Sequence, residues 1–139
     1  MGLEAVIVVP HERVQTSAAR QALPDQVPLA DAAFNVAQAS QLMLGLTSSD
    51  WELISRGLHD KLHQPYRASL YPRSAELLKR ATEFGALGAT ISGAGPSVMF
   101  WSHYEQTGGL MDRLGREVES WARVMRAPFE TQGAYVRQL

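Results

Sequence analysis

The sequence predicts an α+β fold, one mostly antiparallel sheet covered by helices, and three observations predict it. Residues 5–9 form an unbroken apolar run rich in β-branched side chains, the pattern of a strand buried on both faces. Residues 29–62 carry apolar side chains at helical spacing. Two short strand-like segments then flank a glycine turn, Gly93-Ala94-Gly95-Pro96, and a helix and a strand complete the order strand, helices, strand, strand, helix, strand. At 139 residues the chain fits one domain with one core, residues 1–139, and it carries no repeat, low-complexity tract or linker.

The elements follow in order. Pro10 ends the first strand. Because a central strand seldom opens a domain after so short a lead, Met1 and Gly2 are expected to stand where a longer protein has an upstream half. Thr16 or Ser17 can cap a short helix that Pro24 stops, with Arg20 in its middle. After Pro28 a longer helix aligns Leu29, Ala32, Val36, Ala39, Met43 and Leu46 on one face, a stripe expected in the core. Ser49 and Glu52 have the spacing of a capping box, so the next helix should start at Ser49 and bury Trp51, Ile54, Leu58 and Leu62. Pro65 should break it near His63, leaving His63-Gln64-Pro65-Tyr66-Arg67 as a loop. A third helix from Pro72 buries Leu77, Leu78, Ala81 and Phe84 and stops at Gly85. Strands are expected over residues 89–92 and 97–101. Gly108-Gly109 then introduces a helix presenting Leu110, Leu114, Val118, Trp121 and Met125, closed by Pro128, and residues 129–139 alternate as a last strand.

Composition removes several functions. With 45% hydrophobic and 19% charged residues the chain should fold. Its 13 Lys and Arg against 14 Asp and Glu leave a net charge of −1, no excess to attract nucleic acid or an anionic membrane surface. The longest apolar run falls far short of the roughly 20 residues of a membrane span, and no charged segment precedes it as in a signal peptide. No cysteine is present, which removes disulfides, thiol catalysis and thiolate metal sites and suits a reducing cytoplasm.

Few residues offer chemistry. The glycine turn lacks the context of a dinucleotide fingerprint, since Pro96 and a β-favouring segment follow it instead of a helix. It is either a tight connector or a loop whose backbone N–H groups, with Ser92 or Ser97, face an anion or substrate. Arg20 and Arg67 are either ordinary surface arginines or, if they converge, a clamp for a carboxylate or phosphate, because a guanidinium offers two parallel donors. His11, His59, His63 and His103 form no metal pattern, and no nucleophile elbow is present. The Asp and Glu residues read as solvated, with no acid/base couple and therefore no catalytic residue assigned. The aromatics are scattered into helical stripes and make no stacking platform for nucleic acid.

One stretch, Gly85-Ala86-Leu87-Gly88-Ala89-Thr90-Ile91-Ser92-Gly93-Ala94-Gly95-Pro96-Ser97, resembles the third conserved motif of the GHMP kinase superfamily. Thr16-Ser17-Ala18-Ala19-Arg20 followed by Leu23-Pro24, and His63-Gln64-Pro65-Tyr66-Arg67, resemble the homoserine kinase branch of it. The resemblance covers nearly the whole chain and implies a ferredoxin-like α/β sandwich, the C-terminal half of such an enzyme. It implies ATP and Mg as cofactors, bound mostly by an N-terminal half that carries the phosphate loop and is the partner of this one. L-homoserine is the implied substrate, Arg20 and Arg67 its carboxylate ligands, and Gly93, Ala94 and Gly95 the loop that closes against substrate and phosphate. O-phospho-L-homoserine, on the route to threonine, is the implied product. A homodimer is compatible with all of this. Two other readings stay open: another GHMP kinase, such as one of the mevalonate pathway, and a stand-alone α/β module that binds an amino acid without catalysis.

Overall fold

The structure, a computed structural model, describes residues 2–130, Gly133 and Val136. Its centre is β1 (Leu3–Pro10), flanked by β3 (Val98–His103) and β4 (Ala122–Pro128), with β2 (Gly88–Ile91) outside β3. All three pairings are antiparallel, with Val6 opposite Phe100 and Arg126, and Val8 opposite Val98 and Val124. The expected sheet of helices and antiparallel strands is therefore present. Among the described residues, no helix is long and apolar enough to cross a membrane.

Alternation along β1 splits the core in two. Val6 and Val8 face α5 (Pro72–Lys79) and α6 (Thr107–Val118), packing with Phe100, Leu77, Leu110 and Leu114, which are almost wholly buried. Each such side chain contributes roughly 1.5–3 kcal/mol by leaving water. Leu3 and Trp101 point to the other face and meet Ile54 and Leu58 from the hairpin of α2 (Leu29–Ser48) and α3 (Trp51–Gly57). That double burial is why β1 reads as a continuous apolar run although its neighbours are antiparallel.

Several boundaries differ from the sequence expectation, each for a local reason. α1 (Thr16–Gln21) contains Thr16 and Ser17; Gln15 precedes it and makes no side-chain cap. Ser49 ends α2 in the left-handed region, φ 58°, and Asp50 instead caps α3 by accepting from the N–H groups of Glu52 and Leu53. An aspartate accepts such bonds with a full charge, so it outcompetes the neighbouring hydroxyl. The segment expected as a loop is the short helix α4 (Gln64–Arg67), in which Pro65 lies in the first turn, where its missing N–H costs nothing. α6 stops at Val118 and does not reach Met125, because residues 122–128 fill the open edge of β1 with a ladder running from Pro10–Ala122 to Glu4–Pro128. Unpaired backbone groups on a central strand override a marginal helical period. Phe129 and Glu130 are not in a strand, and the remainder of the strand expected over 129–139 lies outside the described residues, apart from Gly133 and Val136, which are not in one either.

The largest departure is α2. Much of the stripe expected in the core is outside it, with Leu29 85% exposed, Val36 68% and Met43 60%, whereas Leu46 packs against the second cluster. The face that meets the protein is set by glycine, because a Cβ on Gly45 would lie 2.7 Å from the nitrogen of Ile54, and one on Gly57 2.5 Å from the nitrogen of Leu42. Two helices approach so closely only through residues without side chains. Two carboxylates expected to be solvated are also enclosed. Glu4 is buried and takes both 2.8 Å bonds of the Arg126 fork, and Asp60 is wrapped in backbone.

Candidate functional site

The glycine turn joins β2 to β3 and is closed by two backbone bonds, Ser92 N–H to the Ser97 carbonyl at 2.8 Å and Gly95 N–H to the Ser92 carbonyl at 3.1 Å. Gly93 and Gly95 have φ of 62° and 85°, the left-handed region that favours glycine. Their surroundings differ. Space around a Cβ on Gly93 is empty to 4 Å, whereas one on Gly95 would sit 2.6 Å from Cε1 of Tyr71. The turn is braced from α5 by Ser74, whose hydroxyl donates to the Pro96 carbonyl at 2.6 Å. From α4, the side-chain amide oxygen Oε1 of Gln64 accepts from the N–H of Ile91 at 2.8 Å.

α4 carries Arg67, and Asp60 fixes α4. The Asp60 carboxylate accepts from the N–H groups of Leu62, His63 and Gln64 and from the Asn35 amide. Burial pushes its pKa up, but the Gln64, Asn35, His63 and Leu62 bonds together outweigh that and hold it below the usual aspartate value. Arg67 then reaches across to α1, donating from Nε to the carbonyl of Ala19 at 2.8 Å. That carbonyl belongs to the residue before Arg20, so residues far apart in sequence meet at one place. Neither terminal nitrogen of Arg67 has a partner among the described residues, and the exposed Arg20 side chain has none either.

Tyr71 stands between α4 and the turn. It is 5% exposed, and its hydroxyl is enclosed with no hydrogen-bond partner. Burial raises its pKa; the charge of Arg67 works against that rise and the charge of Asp60 adds to it. Beyond Gly95 the surface opens into a groove of about 490 Å³ with His11, Arg13, Ser97 and Arg123 on its walls. Arg20 and Arg67 line neither this groove nor the smaller hollow of about 200 Å³ beside Tyr71.

Every site residue expected from the sequence is thus placed. Arg67 bonds the backbone of Ala19, the residue before Arg20, while Gly93, Ala94 and Gly95 form the turn braced from α4 and α5. Sequence reasoning missed Asp60, Gln64 and Tyr71. Asp60 had a signal, an aspartate shortly ahead of a proline-containing first turn; Tyr71 had none. Among the described residues no three His, Asp or Glu side chains are grouped so as to hold a metal ion.

An antiparallel four-stranded sheet with helices on both faces defines an α+β sandwich domain. A family model described as GHMP kinases C terminal matches residues 42–120. The chain belongs to the GHMP kinase family, as its C-terminal domain. It is 38% identical over 136 residues to a protein named homoserine kinase from Synechococcus sp. (strain WH7803), covering 96% of this chain and 43% of the relative. The solved structure of homoserine kinase from Cytophaga hutchinsonii ATCC 33406 superposes with a TM-score of 0.87 at 32% identity, over 95% of this chain and 43% of that one. Mevalonate kinase from L. major, with TM-score 0.64, 14% identity and coverage of 91% of this chain and 43% of that one, shares the fold alone. The chain therefore spans less than half the length of these relatives.

Proposed function

We propose that this chain is the substrate-binding domain of a homoserine kinase, in which Arg67, assisted by Arg20, holds the carboxylate of L-homoserine and the Gly93-Ala94-Gly95 turn closes against the substrate and the transferred phosphoryl group. The complete enzyme moves the γ-phosphoryl of ATP to the homoserine hydroxyl: an O–P bond forms, the bond to ADP breaks and the hydroxyl proton leaves. Positioning dominates such transfers. ATP, magnesium and the phosphate loop belong to the other portion of the enzyme, and this chain fixes where the acceptor hydroxyl lies.

The observation that carries the reading is the orientation of Arg67. Its Nε is already committed to the carbonyl of Ala19 at 2.8 Å, which turns the guanidinium and leaves its two terminal nitrogens without a partner among the described residues. A planar fork held in that way matches a carboxylate in two parallel bonds, and an ammonium does not. The relatives named homoserine kinase support the choice of an amino-acid substrate.

The test uses a completed kinase, this chain fused behind the portion of the Synechococcus relative that it does not cover. Arg67→Lys should raise KM for homoserine with little change in KM for ATP. Removing a charge-assisted contact costs about 1.5–3 kcal/mol, roughly one to two powers of ten in kcat/KM. An amino alcohol without the carboxylate should be a poor substrate and indifferent to the change. Equal losses for both substrates would assign Arg67 to the fold instead.

A further inference from the structure

β2 is an edge strand whose outward backbone is capped at both ends and not in the middle. The Ser55 hydroxyl donates to the Leu87 carbonyl at 2.6 Å, and Gln64 Oε1 accepts from the Ile91 N–H at 2.8 Å. In an antiparallel ladder the N–H groups of residues two apart leave a strand on the same side. The Ala89 N–H therefore faces outward with that of Ile91, and no side chain among the described residues accepts from it. Ala89 is only 8% exposed, and a buried N–H is seldom left without a partner.

Ala89 lines a groove of about 480 Å³ on that side of the sheet, a volume within the range of small-ligand sites. Leu58 from the end of α3, Phe34 from α2 and Leu78 from α5 make its walls apolar. Room exists between them because Ala68 and Ala75 present only methyl groups there.

The charges around the groove are matched except for one. The Asp60 carboxylate is taken up by the N–H groups of Leu62, His63 and Gln64 and by the Asn35 amide. Lys61 pairs with Asp31 at 3.4 Å and lies 4.6 Å over the Phe34 ring. Lys79, at the end of α5, has no partner among the described residues. An ammonium and a buried N–H are thus left as unmet donors along one apolar groove, and a carboxylate on a hydrocarbon tail meets both needs.

We infer that this groove binds a small aliphatic carboxylate, which accepts from the Ala89 N–H and the Lys79 ammonium while its tail lies on Leu58, Phe34 and Leu78. Arg20, Arg67 and the glycine turn do not line the groove, so the inference stands apart from the function proposed above.

The test is a titration of the nitrogen-15-labelled chain with hexanoate, followed by NMR at the Ala89 amide, with hexylamine, acetate and homoserine as the comparison ligands. Hexanoate should shift that amide saturably, in the millimolar range expected of so small a ligand. Acetate, without a tail, and hexylamine, with the wrong charge, should leave it nearly unmoved. Lys79→Gln, an exposed change that leaves the fold intact, should weaken hexanoate binding about tenfold. Ala75→Leu, which fills the groove, should abolish it. Absence of a saturable shift overturns the inference, as does equal binding of hexylamine or an affinity unchanged by Lys79→Gln. Homoserine moving the Ala89 amide as strongly as hexanoate also overturns it, because the groove would then belong to the substrate site.

Discussion

Gly95 and Gly93 look equivalent in sequence and are not equivalent in space. Both have positive φ, 85° and 62°, but only Gly95 is packed against Tyr71. Gly93→Ala should cost only the left-handed strain of an alanine, about 1–2 kcal/mol. Gly95→Ala adds a methyl group 2.6 Å from a buried ring carbon and should cost about 2–4 kcal/mol. Urea unfolding of the two variants measures the difference, and equal midpoints would show that Tyr71 yields freely. Asp60 belongs to the same scale. Its pKa is depressed in the folded state, so its stabilisation is complete above the ordinary value of 3.8 and is lost as the pH falls through the lower native value. Asp60→Asn should therefore cost about 1–3 kcal/mol at about pH 6 and progressively less as the pH is lowered from the ordinary aspartate value through the lower native one. A gap that stays constant with pH would assign the loss to shape and not to charge.

At the scale of elements, glycine inside helices has opposite meanings in α3 and α6. Replacing a mid-helix glycine by alanine normally stabilises by roughly 0.5–1 kcal/mol, because alanine loses less entropy on folding. Gly115 in α6 meets nothing within 4 Å, so Gly115→Ala should raise the melting temperature. Gly57 in α3 faces the backbone of Leu42, 2.5 Å from its nitrogen, so Gly57→Ala should lower it by forcing α2 and α3 apart. Thermal unfolding of both variants reads the two signs, and a stabilising Gly57→Ala would mean that the helix pair is not tightly joined. Because α2 carries Asn35, which bonds both Asp60 and the N–H of Lys61, that separation also loosens the turn leading into α4 and Arg67.

For the whole molecule, the site is one-sided. The described residues supply an oriented arginine, a braced turn and no metal cluster, so the chain alone should show no homoserine-dependent release of ADP. A coupled assay on the purified chain against a control without homoserine checks this, and turnover above that control would require a phosphate site on this chain. The groove beyond Gly95 has His11, Glu12, Arg13 and Arg123 on its walls, and neither Arg20 nor Arg67 lines it.

What the sequence determined by itself is local or periodic: the apolar run of β1, the strands around the glycine turn, and the helices that begin after Pro28 and at Pro72, although the latter ends at Lys79 and reaches Gly85, φ 82°, only through turns. Those signals depend on near neighbours along the chain, and the motifs around Arg20, Arg67 and Gly93 to Gly95 carried the family for the same reason. Tertiary structure decided the rest. Residues 122–128 became a strand because β1 offered an unpaired edge, and the helical spacing of Trp121 and Met125 had nothing of comparable strength to oppose it. Leu29, Val36 and Met43 of the α2 stripe turned outward, while Leu46 stayed in contact with the core, because Gly45 and Gly57 allow a closer approach on the face between them. The Asn35–Asp60 and Arg67–Ala19 bonds and the packing of Tyr71 against Gly95 join residues distant in sequence, and periodicity within one segment carries no record of which partner from another segment will arrive.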